Sequence, residues 1–507
     1  MLLALVLLYL AVSISIGLYA ATRVKSASDF VVAGRHLPLP FIVATVFATW
    51  FGSETVLGIP ASFLRDGLRG VIADPFGSSC CLILVGLFFA RPLYRLGLLT
   101  VGDFYRIRYN RLIELTTSIC VVISYLGWVS AQITALGLVF SILTQGAVSP
   151  WQGMCIGLAV VLVYTLLGGM LSVAFTDLFQ MAVIVGGMIY IAVVVSGLAG
   201  GAQVVIDHAE QQGLLAFWPA ANPREIIGFI AAWATMALGS IPQQDVFQRV
   251  GAARNARTAG LGSTLGGCLY FVFAFVPMFL ALSATLIDPQ LVSAHLADGR
   301  SAQNILPLFV LGHTPLAVQV LFFGALLAAI LSCSSATLLA PSVTVAENIL
   351  RPFFPTISDR QFLRMLRIVV FCFALAVLAF ALFSNRSIYA MVEGAYKVTL
   401  VAAFVPLAFG LYWRRATTQG AALAMAAGIS TWLGGEVFAP EALLPPQFAG
   451  LLAAIAGMLI GSLAPQHYAR GTGQHPDVAF EHARQASPHA SSGPSHPPAP
   501  HAHPGQR

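Results

Sequence analysis

The sequence is short of charge. Of its 507 residues only 9% are Asp, Glu, Lys or Arg, against 58% hydrophobic, and the mean hydropathy is +0.84. A soluble domain carries about 25% charged residues, so the composition excludes one and leaves a chain that crosses a bilayer repeatedly. Cysteine is present without pairs. Cys80, Cys81, Cys120, Cys155, Cys268, Cys333 and Cys372 all lie in apolar stretches without zinc-type spacing, which excludes a disulfide scaffold and a structural zinc site. A phosphate loop, a nucleophile–base constellation and a metal-ligand motif are also missing, so nothing points to an enzyme. The formal charge of +6 comes from short loops, where it reports orientation in a membrane rather than a nucleic-acid partner. The first apolar run, residues 1–21, has no basic residue before it, and Arg23 and Lys25 follow it. It reads as an uncleaved span and not as a signal peptide.

What the chain does have is apolar runs. Segments near 1–20, 40–63, 71–91, 113–143, 150–168, 174–199, 225–248, 259–286, 316–345, 366–384, 388–412, 418–437 and 447–465 each suit a membrane span. The expected fold class is an all-α polytopic membrane protein with about 13 transmembrane helices. With the first connection inside, seventeen Lys and Arg residues fall on the cytoplasmic side; only Arg65, Arg69, Arg224, Arg300 and Arg386 fall outside. The positive-inside rule then puts the N-terminus outside and the C-terminus in the cytoplasm of a cell whose plasma (inner) membrane holds the protein. Residues 1–465 form the membrane domain. The tail 466–507 is rich in Pro, Gly, Ser, Ala and His, holds seven of the eleven histidines at irregular spacing, and reads as a disordered cytoplasmic extension.

Two spans are interrupted. Gly52-Ser53-Glu54-Thr55, then Gly58 and Pro60, break the 41–63 stretch, and Gly239-Ser240-Ile241-Pro242 breaks the 225–248 stretch just before Gln243, Gln244 and Asp245. A carboxylate and helix-weakening residues persist at that depth where unwound backbone faces protein or a water-filled cavity. The interruptions lie five spans apart, the pattern of an inverted repeat of five helices plus five, with core repeats near 40–199 and 225–412. Solute and coupling ion would then sit where the two broken helices meet. On the last core span, Glu393 and Lys397 are four apart and are expected to pair with each other.

These stretches resemble the sodium/solute symporter family over roughly residues 1–465, nearest its choline-transporter branch. Ser28-Asp-Phe-Val-Val-Ala-Gly-Arg-His-Leu-Pro38 is similar to the family's opening motif, and Tyr164-Thr-Leu-Leu-Gly-Gly-Met-Leu-Ser-Val-Ala-Phe-Thr-Asp177, with Gln180 after it, to its Gly-Gly signature. The branch likeness is carried by Gly86–Pro92, Ile241–Val250 and Ala328–Ser335. The resemblance implies a secondary active transporter that takes up a small organic solute with sodium by alternating access, its partners being solute, sodium and lipid bilayer. It places sodium on the carbonyls of Ala48, Phe51 and Ala329 and the hydroxyl of Ser332. A second hydroxyl position is here Cys333, whose thiol is a soft, poor ligand for a hard cation; Ser334 or a water would have to replace it. Asp177 falls on the inner ion path, although helix N-capping accounts equally well for an aspartate there.

For the solute, the resemblance implies a pocket walled by Trp50 and Trp128, with Glu54, Thr55 and Gln244 close by. Aromatic faces suit a quaternary ammonium, which cannot donate hydrogen bonds. The third aromatic wall is expected just after Pro242, where this chain has Gln243. A cage short of one wall suits a smaller or more polar solute: an amino acid, a betaine-like zwitterion or a carboxylate, with proline disfavoured by Trp50. Two other readings stay open, a proton-coupled transporter of the same fold and a transporter-derived sensor or regulatory subunit.

Overall fold

The computed structural model describes residues 1–466; the His-rich tail lies outside them. Among the described residues every regular element is a helix, apart from one backbone bridge between Leu37 and Ala253. Lipid offers no partner to a bare backbone N–H or C=O, and a helix satisfies both internally. Among the described residues ten helices are long and apolar enough to cross a membrane, and twelve if each of two bent pairs counts as one span. The count of 13 adds segment 150–168, which is present as the shorter apolar stretch Pro150–Val163. It does not end in a loop. Pro150–Leu198 runs on as one helix broken only by a kink at Gly169 (φ 50°, ψ −144°).

Leu2–Ala21 packs on Pro150–Leu198. Each broken span then heads a run of five. Leu39–Trp50 with Glu54–Asp66 leads Leu68–Arg95, Arg111–Leu143, Pro150–Val163 and Thr165–Leu198. Pro223–Gly239 with Gln244–Ala252 leads Ala256–Ile287, Leu316–Phe353, Asp359–Phe383 and Ile388–Tyr412. Thr418–Phe438 and Pro446–Leu463 pack on each other at the periphery. This is the order of the five-plus-five repeat.

The first break falls at residues 51–53, on Gly52 and short of Gly58 and Pro60. Leu39–Trp50 stops at Phe51 (φ −83°, ψ 76°), and the two halves meet at 52°. Gly58 and Pro60 interrupt nothing. Glu54–Gly58 is a π-helical turn that runs without a gap into Ile59–Asp66, and Pro60 sits just after it, in a continuous helix. The second break lies at Ser240–Pro242, and its halves meet at 46°. Gly239 is required there: a Cβ would lie 2.6 Å from the Tyr396 carbonyl oxygen. The Thr399 hydroxyl donates to the freed Gly239 carbonyl at 2.6 Å. The first broken helix packs against Ala256–Ile287, Pro150–Leu198 and Leu316–Thr344, so its break is held inside the bundle.

One expected ion pair is not formed. Lys397 Nζ reaches Glu436 on the peripheral Thr418–Phe438 helix, 3.5 Å away, and so ties that helix to the core. Glu393 instead lines a crevice with Glu54, Asp74 and Tyr389.

The Gly169 kink gives the fold a test. A side chain there would meet the Phe30 carbonyl oxygen at 2.4 Å as well as a left-handed φ. Gly169→Ala is expected to cost about 1–3 kcal/mol, read as a lower apparent melting temperature in detergent. Gly186→Ala on the same helix, where a Cβ meets nothing, is expected to be neutral or stabilising. Equal behaviour of the two variants would show that the kink is dispensable.

Candidate functional site

The end of the first broken helix delivers Trp50 into a group of aromatic rings. Its ring centroid lies 5.5 Å from Trp128 in an edge-on contact and 6.0 Å from Tyr396 in a stacked one. Trp128 in turn lies 5.4 Å from Tyr396 and stacks on Tyr125 at 5.9 Å. All four are buried, and the Trp50 indole N–H and Tyr396 hydroxyl have no hydrogen-bond partner among the described residues. Trp50 and Trp128 therefore meet as expected. Gln243 stands where the third wall was expected, and Tyr396, from Ile388–Thr399, adds a third ring to the two tryptophans.

Glu54 is pinned beside these rings. Its Oε1 accepts from Trp128 Nε1 at 3.1 Å and its Oε2 from Gln132 Nε2 at 2.5 Å, while Gln132 Oε1 accepts the backbone N–H of Ser53 at 2.9 Å. One helix, Arg111–Leu143, thus holds both the carboxylate and the unwound backbone next to it. Thr55 faces elsewhere. Its hydroxyl contacts the Trp50 carbonyl at 3.2 Å and Tyr270 Oη at 3.1 Å, and Tyr270 donates to Asp74 at 2.5 Å. Thr55 therefore belongs to the chain of groups that runs toward the crevice.

On the second broken helix, Gln243 is buried and its amide donates to Ser124 Oγ at 3.0 Å and Thr399 Oγ1 at 3.4 Å. Asp245 accepts from the Tyr125 hydroxyl, and its Oδ2 has no partner among the described residues. Gln244 is turned away from the rings. Its Oε1 accepts the Val101 N–H at 2.8 Å and its Nε2 reaches the Leu99 carbonyl at 3.4 Å. Gln244, expected close to the pocket, is bonded to the 99–101 loop and fastens it to the second broken helix.

Asp177 is not an N-cap. It lies buried inside Pro150–Leu198, beyond the Gly169 kink, and its carboxylate accepts from Thr45 Oγ1 and Ser332 Oγ, each at 2.5 Å. Three helices, Leu39–Trp50, Pro150–Leu198 and Leu316–Thr344, converge on that carboxylate. Ala48 sits in the last turn of the first of these, whose carbonyls have lost their regular partners, and Phe51 is the residue at which the helix stops. Ala329 and Ser332 share one face of Leu316–Thr344. Cys333, next in sequence, looks the other way: its Sγ lies 2.9 Å from where a Gly52 Cβ would be. The hydroxyl serves Asp177 and the thiol fills the space behind the break.

Arg249 completes the buried charge. Its Nε donates to Thr49 Oγ1 at 3.0 Å and one guanidinium nitrogen to the Asp245 carbonyl at 2.9 Å, while Thr49 Oγ1 donates to the Thr45 carbonyl at 2.6 Å. Among the described residues no group of three His, Cys, Asp or Glu could hold a metal ion. Hydroxyls and carbonyls around a single carboxylate are instead the chemistry of a hard cation. Sequence reasoning passed over Thr45, Tyr125, Gln132, Arg249 and Tyr396. Gln132 lies four residues after Trp128, so a shared helix face was legible; Thr45, Arg249 and Tyr396 reach the site only through contacts between distant segments.

A profile described as the sodium:solute symporter family matches residues 30–428. The chain is 27% identical over 454 residues to the high affinity choline transporter 1 of Homo sapiens, covering 86% of this chain and 77% of that one. It is 25% identical to the Homo sapiens sodium/iodide cotransporter, over 86% of this chain and 70% of the relative. Among solved structures, a Na+-coupled sialic acid symporter in a substrate-bound outward-open state superposes with a TM-score of 0.77 at 20% identity, covering 92% of this chain and 98% of that one. That likeness concerns the fold.

Proposed function

The chain belongs to the sodium:solute symporter family, a secondary transporter that couples sodium to a solute, and from that premise we propose that its solute is a small organic cation of the quaternary-ammonium type. The observation that carries the proposal is the ring group Trp50, Trp128 and Tyr396 with the Glu54 carboxylate pinned at the edge of Trp128. A quaternary ammonium is held by aromatic faces, at about 0.5–2 kcal/mol per contact. Buried carboxylates at Glu54 and Asp245 favour a cation over a carboxylate or a sugar. Tyr396 adds a third ring to Trp50 and Trp128 where Gln243 offers only an amide, and that supports a choline-like solute over a smaller, more polar one. The choline transporter among the relatives supports the same reading.

For sodium we propose the carbonyls of Ala48, Phe51 and Ala329 with the Ser332 hydroxyl. A hydroxyl that donates its proton to Asp177 turns its lone pairs outward, which suits a cation. Asp177 then compensates the ion's charge and offers it the next stop on the way inward. Cys333, facing Gly52, is a packing group and not a ligand. The N-terminus lies outside, residues 467–507 are cytoplasmic, and the membrane is the plasma (inner) membrane. The many short arginine-bearing loops on one side support that orientation.

Uptake of labelled choline, glycine betaine, proline and a monosaccharide into proteoliposomes tests the solute class. Choline uptake that needs an inward sodium gradient is expected; uptake of proline or the sugar alone contradicts the proposal. Trp50→Ala is expected to weaken choline by about 1–2 kcal/mol, roughly tenfold in affinity.

The ion site has its own test in the sodium dependence of that uptake. Ser332→Ala is expected to raise the sodium concentration for half-maximal rate, and Cys333→Ser to leave it unchanged or lower it. A wild type indifferent to replacement of sodium by potassium would remove the basis for both variants.

A further inference from the structure

On the outside of the bundle, well away from the breaks, an open groove of ≈ 500 Å³ runs between two segments. Leu350, Phe354 and Ile357 form one wall, and Arg364, Met365 and Ile368, on Asp359–Phe383, form the other. We propose that this groove binds an anionic phospholipid, its phosphate on Arg364 and an acyl chain along the helix below.

The argument rests on charge and on register. Arg360, Arg364 and Arg367 lie within two turns of one another at the start of the helix, and none has a carboxylate partner among the described residues. The acids nearby are committed elsewhere: Glu347 holds Arg351 at 2.6 Å, and Asp359 accepts the Ala27 N–H at 3.1 Å. Arg367 Nε is buried without a hydrogen-bond partner. Three cations without counter-charge, beside an apolar groove, select an anion that brings apolar surface with it.

Register supplies the second half. Ile368, Phe371 and Leu375 are 63%, 47% and 48% exposed and follow Arg364 at i+4, i+7 and i+11, one continuous stripe of the helix. At 1.5 Å per residue the stripe runs about 16 Å from Arg364 to Leu375, close to the depth of one leaflet of a ~30 Å hydrocarbon core. The arginine thus stands at headgroup height above a lipid-facing strip of matching length. A free phosphate would satisfy the arginines and leave the groove unused. A neutral lipid would do the reverse.

The test uses the full-length protein, purified in detergent and titrated with phosphatidylglycerol or phosphatidylcholine of identical acyl chains, with apparent melting temperature as readout and native mass spectrometry counting bound lipids. Phosphatidylglycerol is expected to raise the melting temperature more than phosphatidylcholine, by an increment that shrinks as salt is added. Arg360→Gln with Arg364→Gln is expected to lose at least half of that increment while keeping the phosphatidylcholine response. Arg414→Gln with Arg415→Gln, on the same side but outside the groove, is expected to keep it whole. Ile368→Trp, which fills the groove and leaves the arginines intact, should remove the tightly held lipid from the mass spectrum. The proposal is overturned if the Arg360/Arg364 variant retains the full increment, or if glycerol phosphate alone reproduces it.

Discussion

A helix that stops in the middle of a bilayer must find partners for the backbone groups it frees, because lipid offers none and each bare group costs several kcal/mol. This constraint governs the core of the molecule. At the first break, Gln132 takes the Ser53 N–H and Thr55 takes the Trp50 carbonyl. At the second, Thr399 takes the Gly239 carbonyl, and Gly239 lets Ile388–Thr399 come close enough to do so. Gln132 and Thr399 come from helices distant in sequence, while Thr55 lies five residues past Trp50 in the same span. The breaks hold the bundle together as much as they interrupt it.

The same economy applies to charge. Glu54, Asp74, Asp177, Asp245 and Arg249 are all buried, and each has at least one hydrogen-bonding partner. Buried charge is tolerated on that condition. The hydroxyls that satisfy Asp177 lie on the first broken helix and on Leu316–Thr344, so an ion bound among them would act on both. The rings that gather on Trp128 come from the first broken helix and from Ile388–Thr399. Thr45, Ala48 and Trp50 belong to one helix, so a pull on Thr45 or Ala48 would bear on where Trp50 stands and would give the proposed ion and solute a short route to each other. Arg249, joined to Thr49 on that helix, brings the second broken helix into the same arrangement.

Much of the architecture was legible because it is written locally. Long apolar runs mark spans, and Gly239–Pro242 marks the second break to the residue. The first break lies on Gly52, while Gly58 and Pro60 add no second one, because glycine and proline are permissive rather than decisive. Gly58 lies in a π-turn and Pro60 just after it in a continuous helix, while Phe51, beside Gly52, departs from helical geometry. Trp50, Glu54, Trp128 and Ser332 were legible as polar or aromatic residues placed in spans. Tyr396 was not, since its partners are Trp50 and Trp128 and no spacing connects them. The Glu393–Lys397 pairing failed for a related reason. Proximity on one helix is only an offer, and Glu436 on another helix made a better one. Gln244 stood beside Gln243 in sequence yet reaches the Leu99–Val101 loop, because Gln243 is the extended residue before the helix and Gln244 its first helical one.

The central claim is that sodium and an organic cation bind on two faces of one broken helix and therefore affect each other. Equilibrium binding of labelled choline to the purified protein, titrated at a series of sodium concentrations with potassium keeping ionic strength constant, tests it most directly. The account predicts that sodium tightens choline binding, and that choline tightens sodium by the same factor, as linkage requires. Choline binding that is the same in sodium and in potassium would contradict it.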